Sequence, residues 1–403
     1  MPEPRIALVL NELPLPTMSA AARSYHAMLR EFARRGIDFQ VLASAADTPE
    51  ARAALASTYP GFHDRIRLFT PGHPLRLIGR IRNLLRPMSF QTGKALEVEL
   101  RRIHDSQAFD IVHLEHPWTA HALPRDFRAI PSILGCHYFL KTDFEAAGPT
   151  VSLKDRIDRK RLVKAEAALV RRFDHVRVLS PEMAETLAGI HPQATAHIVP
   201  LAIDPADYPF EEPPRKLPDD PIVTMIGSMF WPPSKAAAER LIKRLWPGIR
   251  EKHSQARLRI VGRDARRYFG DFDGYDRIDV FENVPDILPF FREASVLLYA
   301  PPAGSGTKVK IQEAMLLGLP VVTNRSGAEG LGLRHGIDAM LGDTDAELVQ
   351  AASALLADSD LGHRLAIAAR KLVEDHCGPV PVVDTLMDTY AKVIDSHKGK
   401  TRP

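Results

Sequence analysis

The chain contains little cysteine: Cys136 and Cys377 are the two such residues among 403. Two thiols cannot build a disulfide framework or a cysteine-based metal site, and they suit a reducing compartment. No apolar run approaches the roughly 18–20 residues that cross a bilayer, and the first residues show no signal-peptide pattern. We therefore expect a cytoplasmic protein.

A strong excess of charge of one sign is also missing. The chain has 53 lysines and arginines against 50 aspartates and glutamates, a formal net charge of +3. So small an excess does not by itself indicate a nucleic-acid partner. The apolar content of 45% is ordinary for a globular protein, and the length allows two or three domains, each with its own core.

What the sequence does contain is a repeated alternation of strand and helix patterns. Buried parallel strands are predicted at 6–10, 39–43, 111–114, 132–135 and 176–179. The first helix is predicted at 19–36 from the spacing of its apolar residues. This alternation predicts an α/β fold built on doubly wound parallel sheets.

A proline-rich stretch interrupts the alternation. Residues 200–221 contain seven prolines among acidic residues, which is typical of an interdomain connector. The pattern then restarts, with strands predicted at 222–226, 258–261, 280 and 296–299 and helices at 235–246, 286–294, 346–357, 361–376 and 382–396. We predict domains at 1–203 and 222–375, a linker at 204–221, and a segment at 376–403 that returns to the N-terminal domain.

The most informative segment is the glycine-rich turn at 304–310, between a predicted strand and a predicted helix. Such a turn exposes backbone N–H groups at a helix N-terminus, where a phosphate binds readily. Lys308 and Lys310 lie in this turn, and Glu313 follows one turn later. We expect the loop and the lysines to bind a diphosphate and Glu313 to accept hydrogen bonds from ribose hydroxyls. The alternative is that the glycines only permit a tight backbone.

A second loop strengthens this interpretation. The predicted strand 319–322 is followed by the polar, glycine-bearing segment 323–331. Successive loops at the carboxyl ends of parallel strands form the crevice in which open α/β sheets bind ligands.

These motifs resemble those of glycosyltransferase family 4, a family of retaining enzymes with the GT-B fold. The resemblance covers roughly 222–369, and it is most specific at 306–310, Glu313-Ala314-Met315 and 318–322. Further similar segments are 225–233, 260–262 and 283–287, while the N-terminal half is similar in outline only, at 109–113 and 199–204.

The resemblance implies two Rossmann-like domains that face each other across a cleft, with the acceptor bound by the N-terminal domain. It implies transfer of a hexose-type sugar from a nucleoside-diphosphate sugar, most simply a UDP- or GDP-sugar, to a glycan, a lipid-linked saccharide or a small molecule. The family retains the anomeric configuration and usually needs no metal, so we expect no cofactor. A nucleotide-sugar epimerase of the same fold and a non-catalytic nucleotide-sugar-binding member are the alternatives.

The resemblance also assigns residues to the nucleotide sugar. Glu313 would hold the ribose, and the N–H groups of Thr307 to Val309 would hold the diphosphate. The other residues assigned to this side are Gly227, Ser228, Lys235, Gly262, Arg263, Val284, Ser305 and Gly306. Lys308 and Lys310 are assigned as catalytic cations, although Lys310 lies three residues before Glu313 and could instead pair with it.

Two departures from the family pattern stand out. Many members carry two glutamates in this motif, and Ser305 stands where the first would be. The loop at 11–19 carries prolines where the family has two glycines. Ser19 is expected to cap the following helix and is assigned to the acceptor side.

Three residues of the N-terminal half complete the predicted site. His137 follows a predicted strand, and by resemblance it faces the sugar and acts in catalysis; the alternative is a packed histidine. Glu115 and His116 follow another strand and could orient an acceptor hydroxyl. The spacing in this segment is not that of a zinc motif, and no metal site is predicted.

Two further patterns carry other readings. The Asp-x-Asp segments 271–273 and 343–345 fit a short metal motif, but we favour a loop for the first and a helix cap for the second. In the segment 75–86, apolar residues alternate with Arg76, Arg80, Arg82 and Arg86. If helical, it would suit peripheral contact with an anionic membrane, and the alternative is a solvated helix that covers the sheet.

Overall fold

The computed structural model describes residues 3–72, 83, 86–124, 126–127, 129–146, 152–212, 216–270 and 275–401. The chain divides into two compact units. Unit 1 comprises Met1–Leu140, Thr150–Ile203 and Pro379–Pro403, and unit 2 comprises Lys141–Pro149 and Asp204–Gly378. Each unit is therefore assembled from segments that are distant in sequence.

Unit 1 is built on a parallel sheet in the order β3-β2-β1-β4-β5-β6-β7. Its strands are β1 Ile6–Leu10, β2 Phe39–Ala43, β3 Ile66–Leu68, β4 Ile111–Glu115, β5 Ser132–Gly135, β6 His175–Val178 and β7 Thr195–Ile198. The described pairs are parallel in register, for example Ile6 beside both Phe39 and Ile111. This is the doubly wound arrangement that the sequence predicts.

Unit 2 is built on a second parallel sheet in the order β10-β9-β8-β11-β12-β13. Its strands are β8 Ile222–Ile226, β9 Arg257–Gly262, β10 Ile278–Glu282, β11 Val296–Tyr299, β12 Val321–Thr323 and β13 Met340–Leu341. From β8 the chain adds β9 and β10 on one side and then returns to add β11, β12 and β13 on the other. The direction of winding therefore reverses between β8 and β11. Ligands of open α/β sheets bind beside such a reversal, at the carboxyl ends of the strands.

Helices connect the strands of both sheets. Those described are α1 Ala20–Arg35, α2 Pro49–Thr58, α3 Lys94–Ser106, α4 Leu140–Ala146, α5 Leu153–Val170, α6 Pro181–Ile190, α7 Pro232–Arg240, α8 Trp246–Lys252, α9 Ala265–Phe269, α10 Leu288–Arg292, α11 Val309–Leu317, α12 Asp345–Ala357, α13 Ser359–Cys377 and α14 Pro379–Thr401. Among the described residues, no helix is both long enough and apolar enough to cross a bilayer.

The first helix shows how the sequence sets local structure. Ser19 caps α1 by accepting a hydrogen bond from the Ala22 N–H at 3.1 Å, and Gly36 ends the helix in the left-handed conformation with φ of 73°. The apolar face of α1, including Phe32, packs in one core with β1 and with Leu386 and Tyr390 of α14. The last described helix therefore completes the core of unit 1.

Two predicted segments differ from the structure. The single helix expected at 235–246 is divided into α7, a π-helical stretch at Leu241–Leu245, and α8, because Pro247 near the start of α8 has no N–H to continue a regular helix. The stretch expected to be a linker, 204–221, belongs to unit 2, where Tyr208 is 6% exposed. The buried Tyr208 ring explains why this proline-rich stretch packs against unit 2.

Candidate active site

Loops at the carboxyl ends of the unit 2 strands meet closely. Gly262, at the end of β9, has a φ of +153°, and a Cβ there would overlap the Gly227 carbonyl after β8. A Cβ on Gly304 would lie 3.0 Å from Pro233 at the start of α7. The three predicted turns thus come together: Gly262 meets the backbone of Gly227, in a conformation that favours glycine, and Gly304 meets the ring of Pro233.

The end of the loop before α11, together with the first residue of that helix, forms a short run of backbone N–H groups at the helix N-terminus. In the described part of the chain, the N–H groups of Thr307, Lys308 and Val309 donate no hydrogen bond. The hydroxyl of Thr307 is buried, and it too has no hydrogen-bond partner among the described residues. Unpaired N–H groups at a helix N-terminus carry partial positive charge, so this loop can bind an anion.

Two carboxylates hold the preceding part of the same loop. The Ser305 N–H and hydroxyl donate to Asp143 Oδ1 at 2.8 and 3.1 Å, and the Gly306 N–H donates to Glu329 Oε1 at 3.1 Å. Burial raises the pKa of Asp143 to about 6, against the lowering effects of Ser305 and Lys308. Ser305, which replaces a family glutamate, is thus itself bound to a carboxylate from α4.

The two lysines of the loop take different directions. The Lys308 ammonium donates to the Gly306 carbonyl and lies 3.4 Å from Glu329 Oε2, so its charge is balanced by a carboxylate of the loop after β12. The Lys310 ammonium donates to Ser234 Oγ at 3.0 Å and lies 4.0 Å from the centre of the Tyr299 ring. The alternative in which Lys310 pairs with Glu313 is not what the structure shows. A catalytic role of either lysine stays a prediction.

Glu313 lies on α11 and is 2% exposed. Its Oε1 accepts a hydrogen bond from the Tyr208 hydroxyl at 3.0 Å. Arg370 of α13 donates in turn to the Tyr208 carbonyl at 2.6 Å and to the carbonyl of Leu316. The carboxylate predicted to hold a ribose is therefore fixed in place by the former linker stretch.

The remaining residues assigned to the nucleotide sugar are spread over the neighbouring loops. Gly227 lies against Lys310, whose nitrogen would be 3.1 Å from a Cβ added there. Arg263 is exposed and its carbonyl accepts from the Met229 N–H at 2.9 Å. Lys235 lies 3.7 Å from Glu239 and 4.7 Å from the centre of the Tyr268 ring. Ser228 and Val284 are half-buried in the loops that follow β8 and β10.

Unit 1 contains a buried charge cluster at the ends of β4 and β5. Glu115 Oε2 accepts from His137 Nε2 at 2.7 Å, and Glu115 Oε1 pairs with Arg177. A Cβ on Gly135 would overlap the Glu115 carboxylate, so the glycine makes room for it. Glu115 has no exposed surface. In the structure the carboxylate binds His137 and Arg177, and its role toward an acceptor hydroxyl stays a prediction.

The electrostatics of this cluster follow from burial and pairing. Burial acts to raise the pKa of Glu115, but Arg177, His113 and His137 together hold it well below its usual range. Burial lowers the pKa of His113 to about 4, and its Nδ1 lies 2.6 Å from the Tyr390 hydroxyl of α14. The cluster therefore contains a permanent carboxylate and a neutral histidine at neutral pH.

His116 is buried and strained. Its φ of 80° and ψ of 133° lie outside the left-handed helical region, a conformation that costs energy for any residue with a side chain. Its Nε2 lies 2.8 Å from the Tyr138 hydroxyl, and its Nδ1 accepts from the Trp118 N–H at 3.4 Å. Both ring nitrogens are therefore engaged within unit 1, and the contact of His116 with an acceptor stays a prediction. Ser19 caps α1 and donates to Glu12, and its acceptor-side role stays a prediction.

Several predicted residues lie elsewhere. Arg76, Arg80 and Arg82 and the pair Asp271 and Asp273 are outside the described residues. Arg86 donates to the His121 carbonyl at 3.1 Å. Thr344 caps α12 as expected, and Asp345 pairs with Arg240. Within the described ranges, no group of three or more histidine, cysteine or acidic side chains is arranged to hold a metal ion.

Comparison of the sequence with family models gives two matches. Residues 21–207 match the model described as Glycosyltransferase Family 4, and residues 220–358 match the one described as Glycosyl transferases group 1. The chain belongs to the family 4, group 1 glycosyltransferases. A search of the curated proteins finds no significant match.

Solved glycosyltransferase structures show the same fold. HepE from Anabaena, in complex with UDP and glucose, is similar with a TM-score of 0.66 at 15% identity, over 96% of this chain and 100% of that one. Sucrose-phosphate synthase from Thermosynechococcus elongatus gives 0.69 at 15% identity, over 97% and 100%. WaaG, a glycosyltransferase involved in lipopolysaccharide biosynthesis, gives 0.61 at 16% identity, over 95% and 98%. The two units of this glycosyltransferase thus have the GT-B fold.

Sequence reasoning missed three residues of the site: Asp143, Tyr208 and Glu329. Tyr208 and Asp143 lie 105 and 162 residues from their partners Glu313 and Ser305, so no local pattern links them. Glu329 lay in the loop that the sequence did single out, and its position between two glycines was the one available signal.

Proposed function

We propose that this glycosyltransferase transfers a sugar from a nucleoside-diphosphate sugar to a hydroxyl acceptor, with retention of the anomeric configuration and without a metal ion. The observation that carries the proposal is that the N–H groups of Thr307, Lys308 and Val309 are unpaired within the part of the chain that the structure describes. Three fixed N–H dipoles at a helix N-terminus suit the diphosphate, on which negative charge grows as the sugar leaves.

Glu313 supports the nucleotide part of the proposal. It is four residues after Val309, so the two lie on the same side of α11. A carboxylate one helical turn from the anion site can accept hydrogen bonds from both hydroxyls of a ribose. HepE has been solved with UDP, and we propose a uridine nucleotide as the first candidate, ahead of a guanosine nucleotide.

In the proposed reaction, the bond between the anomeric carbon and the diphosphate oxygen breaks. The acceptor oxygen bonds to the same carbon on the same face, and its proton passes to the departing diphosphate. We propose that His137, held by Glu115 at 2.7 Å, hydrogen-bonds the sugar during this step. The acceptor is proposed to be a glycan or a lipid-linked saccharide.

A thermal-shift screen with UDP, GDP, ADP and TDP tests the proposal, because a ligand that binds the folded state raises the melting temperature. Calorimetry then compares the wild type with Glu313→Ala, which is expected to weaken binding by about tenfold or more because charged hydrogen bonds to the ribose are lost. Glu251→Ala, which changes an exposed carboxylate of α8, is the matched control and should bind as the wild type does.

The reaction itself is tested by product analysis of nucleotide sugars with and without a panel of acceptors. Transfer that requires an acceptor and gives the retained anomer supports the proposal. Conversion of the nucleotide sugar into an isomer without any acceptor would instead indicate an epimerase. Wild-type affinity in Glu313→Ala would refute the assignment of the ribose site.

A further inference from the structure

The glycine-rich loop of unit 2 is held by two carboxylates that no sequence motif predicts. Asp143 reaches Ser305 from α4, and Glu329 reaches Gly306 from the loop after β12. Both side chains are almost fully buried, with residue exposures of 1% and 9%. Burial of a carboxylate is offset by hydrogen bonds and charge partners, which Ser305, Gly306 and Lys308 supply here, although among the described residues Asp143 Oδ2 has no partner.

The hydrogen bonds of the loop fall into two consecutive groups. Ser305 and Gly306 donate their N–H groups to the two carboxylates, whereas Thr307, Lys308 and Val309 keep theirs unpaired within the described structure. The carboxylates do not compete for the three N–H groups of the proposed diphosphate site. They bind the two residues immediately before it.

The backbone of this loop needs such support. Gly304 and Gly306 have φ of 141° and 77°, regions that other residues rarely adopt and between which glycine moves at little cost. A loop with two such residues has many conformations, and an anion site requires one of them. Glu329 also pairs with Lys308 at 3.4 Å, which keeps the ammonium folded onto the loop.

We propose that Asp143 and Glu329 are positioning residues that act as a carboxylate clamp: they fix Ser305 and Gly306 so that the next three N–H groups converge on the diphosphate. This inference rests on the proposed function of the loop. The two carboxylates order the loop and do not contact the substrate. Its removal should weaken diphosphate binding although every group that touches the diphosphate is still present.

The experiment measures binding of UDP and of inorganic pyrophosphate by calorimetry in the full chain. Asp143→Ala and Glu329→Ala are expected to weaken the binding of UDP and of pyrophosphate by about tenfold each. The two ligands should lose affinity in the same proportion, because the change acts at the diphosphate. Asp143→Asn and Glu329→Gln keep an oxygen that accepts the loop N–H and should recover part of the affinity. Asp358→Ala, which removes a carboxylate that caps α13 by accepting the Leu361 N–H at 2.9 Å, is the matched control.

Hydrogen–deuterium exchange of the peptide that covers 303–310 gives an independent readout. Faster exchange of this peptide in the alanine variants, without faster exchange in the β8 and β9 peptides, is expected from a local clamp. Wild-type affinity and wild-type exchange in both alanine variants would overturn the inference. If the wild type binds no nucleotide, the proposed function fails, and the exchange result alone decides whether the clamp orders the loop.

Discussion

Tyr208 donates a hydrogen bond of 3.0 Å to Glu313 and thereby joins the proline-rich stretch after unit 1 to the helix of the candidate site. The phenol is 6% exposed, so the bond is shielded from water. Hydrogen bonds to a charged group in such surroundings are worth about 1.5–3 kcal/mol. The residue that fixes the predicted ribose carboxylate was thus classed by sequence as part of a linker.

Tyr208→Phe removes this hydrogen bond and keeps the ring. We expect UDP to bind several-fold more weakly, because Glu313 loses the partner that fixes its orientation, while 2′,3′-dideoxy-UDP should be affected little. Calorimetry with both ligands measures the difference. Tyr268→Phe, at a tyrosine that is 38% exposed, serves as the control. Equal loss for both ligands would show that Tyr208 does not act through the ribose carboxylate.

Gly135→Ala should destabilise unit 1. The added methyl group would overlap the buried Glu115 carboxylate, which is already held by His137 and Arg177. Overpacking of this kind costs about 1–3 kcal/mol, and displacement of a paired buried charge adds to it. Urea denaturation measures the loss. Gly189→Ala, in α6 where a Cβ meets nothing within 4 Å, should not lower the midpoint, because alanine is the better helix former.

The buried histidines predict how stability depends on pH. Burial lowers the pKa of His113 to about 4 and that of His116 to about 3. Below about pH 6.5 these histidines are protonated in the unfolded chain but stay neutral in the folded one. Each therefore lowers the free energy of unfolding by about 1.4 kcal/mol per pH unit, down to about pH 4. Stability should therefore fall on acidification through this range.

His116→Gln removes one histidine that takes up a proton on unfolding. The free energy of unfolding should therefore depend less steeply on pH in this variant. Urea denaturation at several pH values between 7 and 4.5 gives the slope for wild type and variant. Asp143 acts in the opposite sense, because its pKa is raised to about 6, but it is common to both proteins and cancels in the comparison. Identical slopes would contradict the assignment of a neutral buried imidazole at His116.

The contribution of α14 to the core can be tested by truncating one side chain. Leu386 has no exposed surface and packs in the same cluster as α1 and β1. Leu386→Ala should cost about 2–5 kcal/mol, since a fully buried leucine leaves a cavity. Val380→Ala on the same helix, at a residue that is 47% exposed, should cost far less in the same denaturation experiment.

The parts of the molecule that the sequence predicted are those with a local cause. Strands such as β1 and β8 are apolar runs, Ser19 is a cap one residue before its helix, and the turn at 304–308 carries its glycines in order. The missed parts depend on distant partners. Asp143 and Tyr208 look like ordinary residues of a helix and a loop until the fold brings them to Ser305 and Glu313.

Short or weakly patterned elements were also missed. The strand β3 has three residues, which gives alternation no room to appear, and α5 distributes its charged residues around the whole helix. The partners of Glu115 were missed because they lie on or beside other strands. Its position at a strand end suggested access to a ligand, and the structure shows its carboxylate beside Gly135 and paired with Arg177.

The membership of α14 in unit 1 has a consequence for synthesis on the ribosome. The sheet of unit 1 emerges first, yet Val383, Leu386 and Tyr390, which cover its first helix, are translated only after all of unit 2. The apolar face of α1 therefore stays uncovered in the nascent chain while unit 2 is translated and folds. The core of unit 1 is completed only after unit 2 has been translated. Until then its exposed apolar residues make the growing polypeptide prone to aggregation.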